Sequence, residues 1–412
     1  MDNSKSIWAW GAIFVASLGY FADAFDIFLV PAMRVRVLQD LGVSAADSLQ
    51  IGTVVFNWQL FGMLIGAFIC GLLADRFGRK KILLGSILLY SLASITASLV
   101  MNVSQYSFIR FVAGLGLGGQ LGAGVTLVME KLSQQNRSIG TMIIGFFGMM
   151  GVVAASLLSS SSLPWRTNFV IGGILGFVIL ALRVSVQESQ IFVKGKPESR
   201  KTIDALRTLF LDLGRLKKYI LCVLVGTPTY FVIGILVSGA PEFGKSFGLA
   251  VIPSPSVALI WTYLSVALGD IICGLTSQIL QSRLKSLFIF QLITAFAIAS
   301  IYFVPPTSDQ DFYIRCAIGG FGAGYWANLV ANAAEQFGTD VRATVAITVP
   351  NLVRFLLFPI SFVLFNLKQH IPFVTAATIV GLTCSVIAIG AILLLEDRFK
   401  TNLDYQERTS LR

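Results

Sequence analysis

Charged residues are scarce in this sequence, and histidine is almost absent from it. Asp, Glu, Lys and Arg together make up 13% of the 412 residues, roughly half the fraction typical of a soluble domain. The single histidine, His370, cannot by itself supply a histidine metal site or a Ser–His or Cys–His catalytic set. The sequence therefore predicts neither an enzyme nor a resident metal or cofactor.

Cysteine is also sparse, and its spacing disfavours a disulfide or zinc framework. The sequence has no CxxC pair, and its cysteines all fall inside apolar segments. They are interpreted as small apolar side chains: Cys70, Cys222, Cys273, Cys316 and Cys384.

Long apolar runs dominate what the sequence does contain. Hydrophobic residues make up 55% of the chain, and the mean hydropathy is +0.79. Runs of about 20 apolar residues, enough to cross ~30 Å of hydrocarbon, recur along the whole chain. They predict roughly twelve membrane-spanning helices, at residues 8–33, 49–73, 81–101, 104–131, 138–160, 168–186, 218–238, 256–279, 285–304, 312–334, 343–366 and 372–396.

Membrane topology accounts for most of the formal net charge of +10. With both chain termini in the cytoplasm, most of the 31 Lys and Arg residues fall in the tails and cytoplasmic connections, as the positive-inside rule requires. We therefore expect a multi-pass protein of the cell inner (plasma) membrane, surrounded by the lipid bilayer and without a nucleic-acid partner. We expect it to be monomeric.

A long polar connection divides the chain into two parts. Its segment 202–217 has the apolar spacing of an amphipathic helix that lies on the membrane surface. We predict four regions: an N-terminal six-helix half at 1–190, a cytoplasmic linker with an amphipathic helix at 191–217, a C-terminal six-helix half at 218–397 and a cytoplasmic tail at 398–412.

An internal repeat supports this division. The segment that begins at Phe108 resembles the segment that begins at Tyr313. Such a match is expected of parallel repeats related about the membrane normal. One constant offset aligns Arg110 with Arg315, Gly114 with Gly319, Glu130 with Glu335 and Arg137 with Arg342.

The loop GLLADRFGRKK, at residues 71–81, follows the second predicted span. It resembles the signature loop of the major facilitator superfamily, and the matching positions are Gly71, Asp75, Arg76, Gly78, Arg79 and Lys80. In the second-half counterpart, Gln278 stands where the acid would be. The resemblance covers essentially the whole chain. It implies an all-α membrane protein with twelve transmembrane helices in two pseudo-symmetric six-helix halves.

Three further stretches resemble the metabolite, aromatic-acid and organic-ion:proton symporter branches of that family. They are GYFADAFDIF in the first span, RFVAGLGLGG in the fourth and AAEQFGTDVRAT at the end of the tenth. Two departures stand beside them: Gln120 occupies a place where an acid is frequent, and GFFGMMG in the fifth span lacks the proline of the antiporter-type motif. The missing proline favours symport or uniport over drug:proton exchange.

The resemblance implies that the signature loop acts in gating, as a latch between helices in the outward-facing state. The alternative is plain anchoring by cytoplasmic cations, but anchoring requires neither the glycines nor Asp75. We also expect two inter-helix ion pairs of the same gate, Glu130 with Arg137 and Glu335 with Arg342.

The first span holds two acids, Asp23 and Asp26, which lie three residues apart and therefore share a helical face. Counted from the outer end, Asp26 lies ~10 Å deep and Asp23 ~15 Å deep, and Arg110 of the fourth span lies level with Asp26. A carboxylate balanced between burial and a nearby arginine can gain and lose a proton. We assign proton coupling to these three residues collectively. The alternative is a permanent structural Asp–Arg bridge.

Two more charged residues, Arg354 and Asp270, also fall near the midplane. The forked arginine can bind an anionic substrate at two points, or the two residues can neutralise each other; the sequence leaves both readings open. Arg315 lies closer to an interface and can snorkel. The predicted substrate-binding residues are Arg354, Asn351, Asp270, Tyr263, Tyr230, Trp326, Asn328, Asn57 and Gln59.

These features favour a proton-coupled symporter that imports a small organic ion, more an anion than a cation. Substrate would bind between the halves, and alternating access would carry it across. Three alternatives remain: an exporter of cationic or amphipathic compounds that uses Asp23 or Asp270, a facilitative uniporter, and a receptor or scaffold that has kept the fold. The acids within the spans disfavour the last alternative.

Overall fold

The computed structural model describes residues 3–77, 79–118, 137–184, 209–210 and 212–399. Side chains are described in the same ranges except at 3–10, 12, 71–72, 74–77, 79–80, 137–142, 339–340 and 343. Within these ranges every regular element is helical and no strand occurs. The prediction of an all-α protein is confirmed.

Six helices are described in the first part of the chain. They are α1 (Asn3–Asp40), α2 (Ser48–Phe77), α3 (Arg79–Ala97), α4 (Val103–Gly118), α5 (Arg137–Ser160) and α6 (Trp165–Val184).

Ten α-helices and one π-helix follow in the second part of the chain that the structure describes. They are α7 (Leu213–Leu224), α8 (Thr227–Phe231), the π-helix (Val232–Val237), α9 (Ala240–Ser246), α10 (Pro255–Ile279), α11 (Arg283–Phe303), α12 (Asp309–Ala323), α13 (Trp326–Glu335), α14 (Thr339–Phe355), α15 (Leu357–Leu367) and α16 (Phe373–Leu394).

A described helix or group of helices lies in each of the twelve predicted spans. Among the described residues, eight helices are individually long and apolar enough to cross a membrane, and Leu213–Leu224 with Thr227–Val237 passes the same criterion as one bent pair. The first helix is longer than predicted and continues to Asp40.

Three of the predicted spans in the second part are interrupted, and proline chemistry accounts for two of the interruptions. The seventh bends by 41° after Leu224, because Pro228 has no N–H to donate to the Leu224 carbonyl. The Thr227 hydroxyl donates to that carbonyl instead, at 2.5 Å. In the eleventh span, Pro359 likewise withholds an N–H from the Phe355 carbonyl, and α14 ends there.

The tenth span is interrupted at Gly324 and Tyr325, between α12 and α13. A Cβ atom at Gly324 would collide with the backbone of α10 at Gly269 and Asp270. The close approach of two backbones therefore requires glycine at this break.

The chain forms two compact units, one of Met1–Val43 with Val54–Ile203 and the other of Ser44–Thr53 with Asp204–Arg412. In the first, α1 packs on α5 and α6, and α3 packs on α4 and α6. In the second, α12 packs between α10 and α11, and α16 packs on α11.

Most of the predicted linker at 191–217, with its amphipathic helix, lies outside the described residues. Helix α7 begins at Leu213, inside that predicted range, because the Asp212 side chain accepts a hydrogen bond from the Arg215 amide at 2.8 Å and caps it. The predicted tail is described only as far as Phe399.

Candidate functional site

Asp26 and Arg110 form an ion pair in the middle of the first unit. The distance from Asp26 Oδ2 to Arg110 Nη1 is 3.4 Å, and both residues are completely buried. Ser94 donates a hydrogen bond to the other carboxylate oxygen, Asp26 Oδ1, at 2.5 Å. The Arg110 guanidinium also lies over the Phe169 ring, 5.1 Å from its centroid. The sequence predicted that Asp26 and Arg110 lie at one depth, and the structure brings them together.

Asp23 lies one turn back along α1 and is also buried. Its charge interacts with a second arginine, Arg183, on the last turn of α6. The sequence did not single out Arg183, because a basic residue at a helix end looks like ordinary positive-inside anchoring. Its burial, with 6% of the residue exposed, distinguishes it from an anchor.

The predicted polar residues of α2, Asn57 and Gln59, are both buried in the structure. The backbone carbonyl of Gln59 faces Gly114 of α4 so closely that a Cβ atom at Gly114 would collide with it. Neither Nε2 nor Oε1 of Gln59 has a hydrogen-bond partner among the described residues. This pair of helices therefore places an unsatisfied amide inside the first unit.

Arg354 is held in the second unit by neutral groups. Its Nε donates to the Tyr230 hydroxyl at 3.2 Å, and its Nη1 donates to Asn351 Oδ1 at 3.0 Å. The guanidinium lies over the Trp326 ring, 5.4 Å from the centroid. The residue is 5% exposed and forms no ion pair with any carboxylate that the structure describes. We call Arg354, Asn351, Tyr230 and Trp326 the arginine cluster.

Asp270 does not neutralise Arg354. Its Oδ1 accepts a hydrogen bond from the Ala327 amide at 2.9 Å, at the start of α13. The amides of a first helical turn have no partner within their own helix, so a carboxylate here caps the helix and complements its dipole. The sequence left open whether Arg354 binds an anionic substrate or is neutralised by Asp270. The geometry supports the first possibility.

The arginine cluster gathers where helices are interrupted. Arg354 precedes the end of α14, Trp326 is the first residue of α13 and Tyr230 lies in α8, between the bend and the π-helix. Broken helices that converge on a charged side chain are typical of substrate sites in secondary transporters. The Tyr230 and Trp326 rings contact each other, with centroids 6.3 Å apart.

A polar network that the sequence did not predict supports the bend in the seventh span. The Val225 carbonyl accepts hydrogen bonds from Gln291 Nε2 at 2.9 Å and from the Tyr325 hydroxyl at 3.2 Å. Thr229 donates to the Tyr325 hydroxyl at 2.8 Å. Tyr325 was missed because an aromatic residue inside an apolar run carries no sign of its hydroxyl partner.

Asn328 and Tyr263 were predicted to bind substrate, but the contacts of Asn328 lie elsewhere. Its Nδ2 donates to the Arg283 carbonyl at 3.3 Å, and its Oδ1 accepts from Arg283 Nη1 at 3.4 Å. Asn328 therefore belongs to the surroundings of Arg283. Tyr263 is buried on α10.

The predicted gate is described only in part. Glu335 forms its ion pair with Arg283, 3.1 Å away and in the second-half counterpart of the signature loop, whereas the sequence predicted Arg342 as the partner. Arg342 donates from Nε to the Phe337 carbonyl at 3.2 Å, so it folds back onto the end of its own connection. The remaining gate positions lie outside the described side chains: Gly71, Asp75, Arg76, Gly78, Arg79, Lys80, Glu130 and Arg137.

A short segment after α16 lies beside the Arg283–Glu335 pair. The Phe399 ring lies 4.9 Å from the Arg283 guanidinium, and Gln336 Nε2 donates to the Glu396 carbonyl at 2.6 Å. Asp397 accepts a hydrogen bond from the Ser282 hydroxyl, the residue that caps α11. The segment therefore joins the ends of three helices.

The chain matches a family model and is similar to several individual transporters. Residues 10–357 match the family model described as Major Facilitator Superfamily. The chain is 26% identical over 339 residues to a putative niacin/nicotinamide transporter of Bacillus subtilis, a match that covers 80% of this chain and 81% of that protein. It is 32% identical over 215 residues to a 4-hydroxybenzoate transporter of Pseudomonas putida, which covers 49% and 46% respectively.

Among solved structures, the chain is similar to a D-xylose–proton symporter. The TM-score is 0.75, and the match covers 96% of this chain and 99% of the other at 14% sequence identity. At that identity the likeness concerns the fold alone.

Proposed function

Because the chain belongs to the Major Facilitator Superfamily, we propose that it imports a small organic anion together with a proton. It is a multi-pass membrane transporter of small molecules and not an enzyme. Its all-α architecture is the major facilitator fold, and the described helices are consistent with the twelve spans of that fold. The anionic substrate, the proton and the direction are the proposal. So is an inner-membrane location with both termini in the cytoplasm.

The observation that carries the proposal is the buried Arg354 cation. Removing a charge from water costs several kcal/mol, and an acidic partner normally offsets that cost. Among the residues that the structure describes, Arg354 is contacted by the Tyr230 hydroxyl, the Asn351 amide oxygen and the Trp326 ring, and by no carboxylate. A substrate carboxylate can supply the missing negative charge and accept two parallel hydrogen bonds from the guanidinium fork.

The aromatic side chains of the arginine cluster favour a substrate with a ring. Tyr230 and Trp326 lie beside the Arg354 guanidinium, and aromatic side chains at a binding site favour a planar ring that can pack against them. The name of one relative gives niacin and nicotinamide as its substrates, and the name of another gives 4-hydroxybenzoate. Niacin and 4-hydroxybenzoate both carry a carboxylate on a ring, whereas nicotinamide carries an uncharged amide there. We therefore favour a small aromatic monocarboxylate.

The Asp26–Arg110 pair is the candidate for proton coupling. When a proton neutralises Asp26, Arg110 keeps a favourable contact with the Phe169 ring. The Ser94 hydroxyl can donate to the ionised carboxylate or accept from the protonated acid. Both protonation states of Asp26 therefore have partners, as a group that exchanges a proton requires.

The direct test is uptake into proteoliposomes that contain a pH-sensitive dye. We would compare nicotinate, 4-hydroxybenzoate and the uncharged amide nicotinamide under an inward proton gradient. We expect the two carboxylates to enter with protons and nicotinamide to enter far more slowly. Arg354→Gln should raise the KM for nicotinate at least about tenfold, because a charge-assisted bidentate contact is lost.

Arg315→Gln is the matched control, because Arg315 is a buried arginine of the same unit that already has an acidic partner, Asp311, at 3.2 Å. It should leave the KM for nicotinate near the wild-type value. Preferred uptake of nicotinamide or of an organic cation, unaffected by Arg354→Gln, would refute the anion proposal. Uptake without proton movement, unchanged by Asp26→Asn, would identify a uniporter.

The exporter alternative loses one of its two candidate residues. An exporter of cations needs a carboxylate that is free to meet the cation, and Asp270 is engaged with the amides of α13. The geometry of the second unit therefore gives an anionic substrate more support than a cationic one.

A further inference from the structure

Asp270 is a carboxylate within the eighth span that the proposed function does not use. It is partly exposed, as is Trp326, and the neighbouring Ala327 is exposed. The exposed apolar residues of α10 form one stripe: Trp261, Leu264, Leu268, Ile271, Ile272, Leu275 and Ile279. Successive residues of an α-helix are about 100° apart, so Asp270 lies roughly 150° around α10 from the middle of this stripe. An accessible acid on the side away from lipid faces water or a ligand.

Trp326 touches both Asp270 and Arg354. The Ala327 amide donates to Asp270 Oδ1 at 2.9 Å, and the Trp326 amide also hydrogen-bonds to this carboxylate. At the other end of the same residue, the Trp326 ring centroid lies 5.4 Å from the Arg354 guanidinium. A carboxylate and a guanidinium therefore lie at opposite ends of one tryptophan residue, a separation that a small substrate ring can bridge.

The break between α12 and α13 holds Asp270 in this place. A Cβ atom at Gly324 would lie 2.7 Å from the Gly269 Cα atom and 2.8 Å from the Asp270 amide nitrogen. This close approach of two backbones brings Asp270 level with the first amides of α13. The carboxylate and the arginine cluster thus belong to one interrupted region of the second unit.

The charge of Asp270 is balanced, but its capacity to accept hydrogen bonds is not filled. The positive end of the α13 dipole complements the negative charge, so a substrate cation is not required. A carboxylate presents about four lone-pair positions, and the amides of Trp326 and Ala327 occupy two of them. The remaining positions suit a neutral donor, such as a hydroxyl group, and not a group that only accepts.

We infer that Asp270 is a specificity residue, which accepts a hydrogen bond from the substrate ring opposite the carboxylate that Arg354 binds. The inference rests on the proposed function and narrows its substrate class to hydroxylated aromatic monocarboxylates. The names of two relatives give niacin and 4-hydroxybenzoate as substrates. The hydroxyl group of 4-hydroxybenzoate can donate, whereas the ring nitrogen of niacin only accepts at neutral pH, so this chain prefers the former.

The experiment is isothermal titration calorimetry of the purified full-length protein with four aromatic carboxylates. They are 4-hydroxybenzoate, benzoate, 4-methoxybenzoate and isonicotinate, of which only the first has a hydrogen-bond donor on its ring. We expect 4-hydroxybenzoate to bind with a dissociation constant at least about tenfold below the other three, as a hydrogen bond to a charged acceptor provides. Binding requires no proton gradient, so the result is independent of coupling and direction.

Asp270→Asn separates recognition of the ring from capping of α13. Asparagine keeps an oxygen for the Ala327 amide but replaces the other oxygen by an NH2 group, which donates. The ratio of the dissociation constants for isonicotinate and 4-hydroxybenzoate should fall at least about fivefold, because the ring nitrogen gains a donor and the hydroxyl loses its acceptor. The variant should still take up carboxylates through Arg354, with altered selectivity. A role confined to capping would leave the ratio unchanged.

Asp311→Asn is the matched control. Asp311 Oδ2 also accepts from a backbone amide, that of Thr307 at 3.1 Å, and the residue lies in the first turn of α12, outside the arginine cluster. Its ratio of dissociation constants should equal that of the wild type. Size-exclusion chromatography would verify the fold of both variants, and the wild-type series decides the inference if Asp270→Asn does not fold.

Three results would overturn the inference. Equal binding of 4-hydroxybenzoate and benzoate by the wild type would refute it and leave the proposed function intact. An unchanged ratio in folded Asp270→Asn would do the same. If none of the four carboxylates binds, the proposed function fails, and the role of Asp270 in selecting an aromatic acid fails with it.

Discussion

Arg354 donates a hydrogen bond from Nε to the Tyr230 hydroxyl, 3.2 Å away, and this bond joins α14 to the interrupted seventh span. The phenolic oxygen fixes the plane of the guanidinium, and so determines where its remaining N–H groups point.

Tyr230→Phe should raise the KM for a carboxylate substrate about three- to tenfold, because a hydrogen bond to a charged group contributes about 1.5–3 kcal/mol, of which rearrangement recovers part. The maximal transport rate should change little. The measurement is initial uptake at varied substrate concentration. Tyr219→Phe is the matched control, because it also removes a buried hydroxyl bond, to Thr348 at 2.6 Å. An equal rise in KM for both variants would mean that the effect is not specific to Arg354.

Asp270→Asn should preserve transport, whereas Asp270→Ala should impair it. Asparagine retains a side-chain oxygen that can accept from the Ala327 amide, and alanine does not. Loss of a helix cap costs about 1 kcal/mol, so we expect a lower thermal unfolding midpoint for the alanine variant in detergent. Complete loss of transport in a stable Asp270→Asn protein would show instead that the charge itself is required.

Gly324→Ala should destabilise the second unit and slow transport. The added methyl group has no space against the α10 backbone, so the junction of α12 and α13 must move away from α10. Gly390→Ala is the control, because a Cβ atom there meets nothing within 4 Å. Within α16 it should be neutral or stabilising, by up to about 1 kcal/mol. Thermal unfolding of the two variants checks the difference, and similar midpoints would contradict the close approach at Gly324.

Asp311 provides a pH dependence outside the membrane-spanning segments. Burial alone would raise its pKa, but hydrogen bonds from Arg315 and the Thr307 amide, together with the Arg315 charge, hold the pKa below its ordinary value of 3.8. A carboxyl with a lowered folded-state pKa stabilises the fold above its unfolded-state pKa, and that contribution is lost as the pH falls through the folded-state value.

Asp311→Asn should therefore lower the unfolding midpoint at neutral pH, and the difference from the wild type should shrink once the pH falls below about 3.8. Asp309→Asn, in the same helical turn, serves as the comparison. A difference that stays constant down to the lowest pH would show that Asp311 contributes through its shape and not through its charge.

The sequence predicted the helical class, the positions of the spans and the depth shared by Asp26 and Arg110, because hydrophobic length and helical rise determine them. It could not decide whether Asp270 neutralises Arg354. That outcome depends on the amides that the break before Trp326 leaves without partners inside α13. The break itself follows from the close packing of α10 on Gly324, which the sequence does not reveal. The prolines at 228 and 359 were available signals for the other two breaks.

The ion pairs also separate what the sequence could predict from what only the tertiary structure shows. Sequence proximity suggested Arg342 as the partner of Glu335, but the partner is Arg283, which tertiary packing brings beside it. Arg183 was overlooked for a related reason. Its position in the sequence matches that of an anchoring residue. The contact of its guanidinium with Gly19 of α1 shows that the side chain turns inward.

The Val225 carbonyl has a consequence for the mechanics of the seventh span. It is bonded by Gln291 of α11 and by Tyr325, which precedes α13, rather than by the next turn of its own helix. The angle between α7 and α8 can therefore change while every backbone bond within each helix stays intact. Substitutions at Gln291 or Tyr325 would alter the stiffness of this joint without shortening either helix. Two side chains on neighbouring elements thus set how freely the seventh span can bend.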